Sequence, residues 1–207
     1  MKYGLGHAKI ALLLDANCLI YYCQRFDETF QQTAVKLYHP LGERVIKAIN
    51  SAIADGRCVG STARVLAEIP DKGAEELIDD FLCNAGIRDA LERHGISRVP
   101  PRVVGRWQDR FTQKFKKLRN REWFREISFV PSQKELEDAR TFYRSLAGRP
   151  VMVEHIARKG KDCPSEEDLG LALCAKELQV PLLTNDGDFT RFVEDWGRFG
   201  VIIQPLT

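Results

Sequence analysis

Apolar residues follow two rhythms along the chain. Short unbroken runs closed by polar or turn residues read as buried strands: residues 9–14 (KIALLL), 57–60 (RCVG), 181–184 (PLLT) and 201–206 (VIIQPL), with a further candidate at 127–130 (ISFV). Elsewhere apolar positions return every three or four residues, the period of a helix that buries one face. Asn17 can cap a helix through Leu19, Ile20, Tyr21 and Tyr22, and Pro40 opens another that carries Val45, Ile46, Ile49 and Ile53 and stops at Gly56. Ser61 or Thr62 caps a third through Ile69, ended by Pro70. Helical spacing of Leu77, Ile78, Phe81, Leu82, Ile87 and Leu91 predicts a helix over 74–94, and Pro100 and Pro101 separate it from a second over 102–125. Ser132 and Glu135 form a capping box for a helix through Phe142 and Leu146. Ser165 begins the almost wholly apolar LGLALCAKEL, residues 185–189 (NDGDF) make a turn, and a short helix surrounds Phe192 to Trp196. Strands alternating with helices predict an α/β fold with a mostly parallel sheet.

Composition narrows the class. A chain of 207 residues with 44% hydrophobic and 29% charged residues can bury a core and suits one domain with an elaboration. No apolar run nears the roughly 20 residues that span a bilayer, and the first one ends in Asp15 without a small-residue cleavage site. Neither a membrane span nor a secretory signal is expected. The six cysteines make no C-x-x-C and the four histidines no H-x-x-x-H, which excludes zinc-finger and thioredoxin-like sites and suits a reducing, cytoplasmic location. No Gly-rich loop ends in Lys-Ser/Thr, so a P-loop ATPase is excluded, and a haloacid-dehalogenase-type phosphatase would want an aspartate where Asn17 stands.

Charge is distributed unevenly. Residues 98–125 hold ten basic residues against Asp109 and Glu122, a local +8, whereas the whole chain is +2 and the remainder therefore −6. Within that segment Val104, Trp107, Phe111, Phe115 and Leu118 form an apolar stripe. Beside it runs a basic stripe of Arg102, Arg106, Arg110, Lys114, Lys117 and Arg121. One reading is an amphipathic helix with a solvated basic side. The reading preferred here is a phosphate-tracking surface that brings RNA to a centre which would otherwise repel it. The aromatic stripe would also suit a homodimer contact. A helix-turn-helix over DALERHGISRVPPRVVGRWQDRF, and hence a DNA-binding module, is disfavoured because Pro100 and Pro101 fall where its recognition helix should begin.

Candidate chemistry lies in carboxylates. Asp15 and Asp186 each follow a predicted strand, where open α/β sheets place their sites, although strand ends often carry Asp simply as a turn residue. Glu68 interrupts an apolar helix and shares a face with Arg64, its obvious ion-pair partner. Asp168 follows Ser165 at capping-box spacing, and Glu166 and Glu167 complement the helix dipole equally well. Four carboxylates near one sheet edge repel each other unless a cation sits among them. An all-oxygen donor set points to Mg²⁺ or Mn²⁺ and to phosphate-ester chemistry.

These pieces together resemble the PIN-domain ribonuclease superfamily, which includes the VapC-type toxins. The resemblance is carried by LLLDANCLI with Asp15, STARVLAEI with Glu68, and EEDLGLALCAKELQVPLLTNDGDF with Asp168 and Asp186. It implies a three-layer α/β/α fold whose core spans about 8–70 and 162–205, with a helical insertion over 71–161 in a single domain of residues 1–207. It also selects Asp168 over its two acidic neighbours. Asp15, Glu68, Asp168 and Asp186 become the catalytic metal ligands, Asp188 an auxiliary ligand, and Asn17 and Thr184 groups that orient ligands or water. The activity implied is metal-dependent endoribonucleolytic cleavage leaving a 5′-phosphate and a 3′-hydroxyl, with structured RNA such as tRNA the expected substrate. The first expected role is a toxin with an antitoxin partner. A housekeeping processing nuclease, such as a tRNA 5′-end processor, is the alternative, and a non-catalytic nucleic-acid-binding protein using the basic helix is the third. Glu68 and Asp168 stand 100 residues apart, further than in compact toxins, and the resemblance gives no role for what lies between.

Overall fold

The computed structural model describes residues 9–30, 32–146, 149–160 and 162–206. Ala8 and Lys161, which bound the expected core and insertion, lie outside the described residues. The described residues begin with β1 (Ile10–Leu14) and α1 (Ala16–Cys23), then a hairpin of β2 (Arg25–Phe30) and β3 (Thr33–Tyr38). Next come α2 (Gly42–Ala54), β4 (Cys58–Thr62), α3 (Ala63–Lys72), α4 (Ala74–Cys83), α5 (Ala85–Arg93) and the long α6 (Pro101–Arg119). Strand β5 (Phe124–Ile127) follows, then α7 (Gln133–Arg144), α8 (Pro150–Lys159) and α9 (Glu166–Leu178). The chain closes with β6 (Leu182–Thr184), α10 (Gly187–Thr190), α11 (Val193–Phe199) and β7 (Ile203–Pro205).

Five strands form one parallel sheet in the order β5-β4-β1-β6-β7, flanked by helices. The expected α/β class with a mostly parallel sheet is therefore the observed one. β1 lies at its centre, with Leu13 opposite Gly60 on one side and Leu182 on the other. The chain builds outward from β1 through β4 to β5, then returns to β1's other side for β6 and β7. This reversal makes the carboxyl ends of β1 and β6 a topological switch point, where loops diverge and leave a crevice. Helix α9 is buried from Leu169 through Ala175 because it packs on β1, β4 and β6 while α7 covers it, which explains its lack of a polar face.

Gly60 shows how closely the sheet is built. A Cβ there would lie 2.9 Å from the Arg125 carbonyl oxygen on β5 and 2.9 Å from Ile127 Cδ1. Gly60→Ala is expected to cost about 1–3 kcal/mol by forcing β4 from β5, measurable as a lower urea midpoint at unchanged slope.

Several local expectations shift. The cap of α1 is Asp15 and not Asn17, since the Asp15 side chain accepts the Cys18 N–H. Pro70 lies inside α3, where it removes only the bond to the Leu66 carbonyl near the helix end, and Gly73 at φ +74° is the stop. The helix predicted over 74–94 breaks at Asn84, whose side chain caps α5 through the Gly86 N–H at 3.0 Å. Helix α6 stops at Arg119, and the strand predicted at 127–130 is instead Phe124–Ile127. The hairpin and α8 had no sequence expectation. The hairpin packs Phe26, Phe30, Val35 and Leu37 inward and docks on α6, where Trp107 stacks on Phe26 at 5.0 Å. Between Glu68 and Asp168 the chain thus carries helices together with β5, which pairs with β4 at the edge of the sheet.

Candidate active site

Local backbone chemistry fixes each acid before any cluster forms. Asp15 ends β1 and caps α1, with Oδ1 accepting the Cys18 N–H at 2.7 Å and Oδ2 accepting the Thr184 hydroxyl. It is 6% exposed, and burial pushes its carboxyl above the usual range, with the neighbouring Asp186 charge adding to the effect. Thr184, at the end of β6, also accepts the Asp186 N–H at 2.9 Å. One hydroxyl thus ties the two switch-point loops together. Asp186 caps α10 by accepting the Asp188 N–H at 2.8 Å. Asp188 is buried and accepts the Tyr143 hydroxyl from α7 at 2.7 Å, while its backbone carbonyl accepts Trp196 Nε1 at 3.0 Å.

Asp168 keeps its capping-box bonds, with Ser165 Oγ at 2.9 Å and its own N–H donating to that hydroxyl at 3.1 Å. The cap does not use up the carboxylate. Oxygens of Asp168, Asp186 and Asp188 lie within 4.8 Å of one another. Burial, helped by the charges of Asp186 and Glu68, lifts the Asp168 carboxyl to about 6 even though its Ser165 bonds oppose the rise. Glu68, half-buried on α3, is therefore close enough for its charge to be felt, but it is not in the tight group of three. The expected Arg64–Glu68 pairing is not what forms: Arg64 reaches Glu166 at 2.8 Å, and Arg140 reaches the same Glu166 at 3.3 Å.

Asn17 sits in the first turn of α1 and lines a cleft with Ile20, Tyr21, Gln24 and Lys72. Tyr21 stacks on His39, ring centroids 3.7 Å apart and nearly parallel. Neither Tyr21 nor Tyr143 was singled out from sequence. Tyr143 had a signal: it lies on the buried face of α7 with Leu136 and Ala139, where a phenol must find an acceptor.

The basic stripe has a divided fate. Arg106 pairs with Glu28 at 2.9 Å, Arg110 donates to the Asp27 carbonyl at 3.0 Å, and Lys114 donates to the Arg25 carbonyl. These three hold the hairpin. Arg102, Lys117 and Arg121 are exposed.

Chemically, three convergent carboxylates, with Asp15 tied to Asp186 through Thr184, make an all-oxygen anionic group that could hold a cation. Among the described residues no helix is long and apolar enough to cross a membrane. No family model matches the chain, and no curated protein matches it. Among solved structures it is similar to a chain in the crystal structure of VapBC2 from Rickettsia felis bound to a DNA fragment from their promoter, at 14% identity over 95% of this chain and 98% of that chain, with a TM-score of 0.41.

Proposed function

We propose that this chain is a divalent-metal-dependent endoribonuclease of the PIN type. The observation that carries the reading is the convergence of Asp168, Asp186 and Asp188 oxygens within 4.8 Å beside Asp15, at the switch point of a parallel sheet. The motif order supports it in part: Asp168 and Asp186, two of the four acids the PIN resemblance makes catalytic, meet here with its auxiliary Asp188, while Asp15 stands beside them and Glu68 lies outside the tight group.

The donor set fits Mg²⁺ or Mn²⁺: three carboxylates, one raised to about 6 by burial and like charge, a condition that a cation relieves. Asp168, Asp186 and Asp188 would hold the ion, with Asp15 and Glu68 adding negative charge around it. When bound, such an ion neutralises charge on a phosphodiester and lowers the pKa of a water nucleophile. The protein's own groups do the positioning. Tyr143 takes one oxygen of Asp188, Ser165 one oxygen of Asp168, and Thr184 one oxygen of Asp15 while also receiving the Asp186 amide. Each hydrogen bond removes a rotational option from a carboxylate, so the cluster is preorganised without the ion.

The substrate class is RNA, with tRNA favoured because shape-reading surfaces suit structured RNA. The role is a toxin held by an antitoxin, acting in the cytoplasm; a homodimer would have to use another face, because the aromatic stripe of α6 is buried against the hairpin and α4. One observation favours the processing-nuclease alternative: the 100 residues between Glu68 and Asp168, which include the basic α6, are more than a compact toxin needs.

Mn²⁺ is expected to raise the melting temperature. At about 100 times its Kd a single ion adds roughly 2.7 kcal/mol, or about 5–10 °C for a domain of this size. EDTA should reverse the rise, and Asp168→Asn should remove most of it. No shift in the wild type at millimolar Mn²⁺ would contradict the metal site.

A further inference from the structure

The cations of α6 serve two ends. Arg106 and Arg110 are occupied by Glu28 and the Asp27 carbonyl on the hairpin. Further along, Lys114 and Lys117, with Arg121 just beyond the helix end, line a cleft of about 390 Å³ between α6, the hairpin and the end of α1. Arg25 and Lys36 of the hairpin complete its basic wall, so among the described residues five cations line it, Lys114 while bonded to the Arg25 carbonyl, with Asp27 as the sole carboxylate. Arg25 and Lys36 belong to the segment that had no sequence expectation, and they gain their place only because the hairpin folds against α6.

The enclosure is physical as well as electrostatic. Lys114 Nζ lies 5.2 Å from the Phe26 ring centroid, and burial, with Arg25 and Arg110 nearby, pushes the Lys114 ammonium below its ordinary range. Like charges gathered around a half-enclosed space are unfavourable alone and favourable around an anion.

We propose that the cleft between the β2–β3 hairpin and the C-terminal half of α6 binds RNA through a phosphate, taking one nucleotide unit at a place separate from the acid cluster. Three features favour a nucleotide over an acidic peptide. The volume is within the range of small-ligand sites. Tyr22 and Tyr38 also line the cleft, aromatic rings of the kind on which a base can stack. Arginines supply planar forks that match phosphate oxygens. The location also suits one strand reaching both places. Asp15 caps the start of α1 and Tyr22 lies near its end, roughly 10 Å along the helix axis. That is about three stacked nucleotides at 3.4 Å each.

The choice of RNA rests on the nuclease reading, but the test does not require cleavage. A fluorescent single-stranded RNA of about twelve nucleotides, a length within the usual site sizes, is titrated in EDTA and followed by anisotropy. Lys36→Gln with Arg121→Gln, both exposed positions, is expected to weaken binding by about tenfold or more. It should also reduce the slope of log affinity against log salt by about 1.4, two phosphate contacts on a single strand. A charge-matched pair on α5, Arg88→Gln with Arg93→Gln, is expected to stay within about twofold of wild type. Unchanged affinity in the first pair, or equal loss in both, would overturn the proposal. So would tighter binding of a polyglutamate peptide than of RNA, lost through Lys36 and Arg121, which would make the cleft a protein-docking site. Failure here leaves the nuclease reading standing, and absence of cleavage leaves the binding result intact.

Discussion

Asp186→Asn is expected to lower RNA cleavage by more than about 100-fold while leaving the melting temperature equal to or above that of the wild type. Replacing even the partners that stand behind metal ligands typically costs about 10- to 100-fold, so loss of a ligand carboxylate should exceed that range. The fold should survive for two reasons. Asn is as good a helix cap as Asp, and its carbonyl can still accept the Asp188 amide that Asp186 receives at 2.8 Å. Removing one charge from a group of carboxylates within 4.8 Å also relieves repulsion. Asp15→Asn is a less clean probe, because Asp15 accepts two donors on its two oxygens and an amide can accept on only one. Cleavage by Asp186→Asn at near wild-type rate, followed by gel assay, would place the chemistry elsewhere.

Trp107→Ala is expected to destabilise the fold by about 3–5 kcal/mol, the usual cost of emptying a large aromatic site. Trp107 is fully buried where three elements meet: it stacks on Phe26 of the hairpin, contacts Phe81 of α4 edge-on at 6.2 Å between centroids, and donates its indole N–H to Glu28 at 3.3 Å. Removing it leaves a void and strips a donor from Glu28, whose side chain is largely covered and otherwise answered by Arg106 and Arg110. Chemical denaturation should show the lower midpoint. Trp107→Phe should recover most of the packing but not the Glu28 bond, so a loss confined to about 1–2 kcal/mol would separate the two contributions.

How much of this was readable beforehand varies with the kind of signal. Strands β1, β4, β6 and β7 were legible as short apolar runs, whereas β5, with Arg125 and Glu126 in its middle, was expected three residues too late; the capping boxes at Ser132 and Ser165 were legible because they are local. The hairpin was not. Its strands alternate correctly at Phe26, Phe30, Val35 and Leu37, but its turn places Gln32 at φ +72°, a conformation normally announced by Gly or Asn. The break at Asn84 was hidden because apolar spacing runs on across it and only a single side-chain cap divides the helices. At the acid cluster, sequence order alone could not choose among Glu166, Glu167 and Asp168. The fold brings Asp168 beside Asp186 and Asp188 and directs Glu166 to Arg64 and Arg140. Tyr143 reaches the cluster from a helix 45 residues away in sequence, so no spacing rule would have linked it to Asp188.

The basic helix carries the same lesson. Its stripe was visible in sequence, but half of it meets a hairpin that was not, so Arg106 and Arg110 became structural contacts while Arg25 and Lys36 joined Lys117 and Arg121 around a cleft. Charge periodicity identifies a face, and tertiary packing decides which part of that face remains open to a ligand.

The central claim, that the convergent carboxylates form a metal-dependent nuclease centre, is tested most directly by incubating labelled total tRNA with the wild-type protein and with Asp186→Asn, each in Mn²⁺ and in EDTA. The expected result is cleavage by the wild type in Mn²⁺ alone, with 5′-phosphate and 3′-hydroxyl product ends. Cleavage that persists in EDTA, or that Asp186→Asn retains at the wild-type rate, would contradict it.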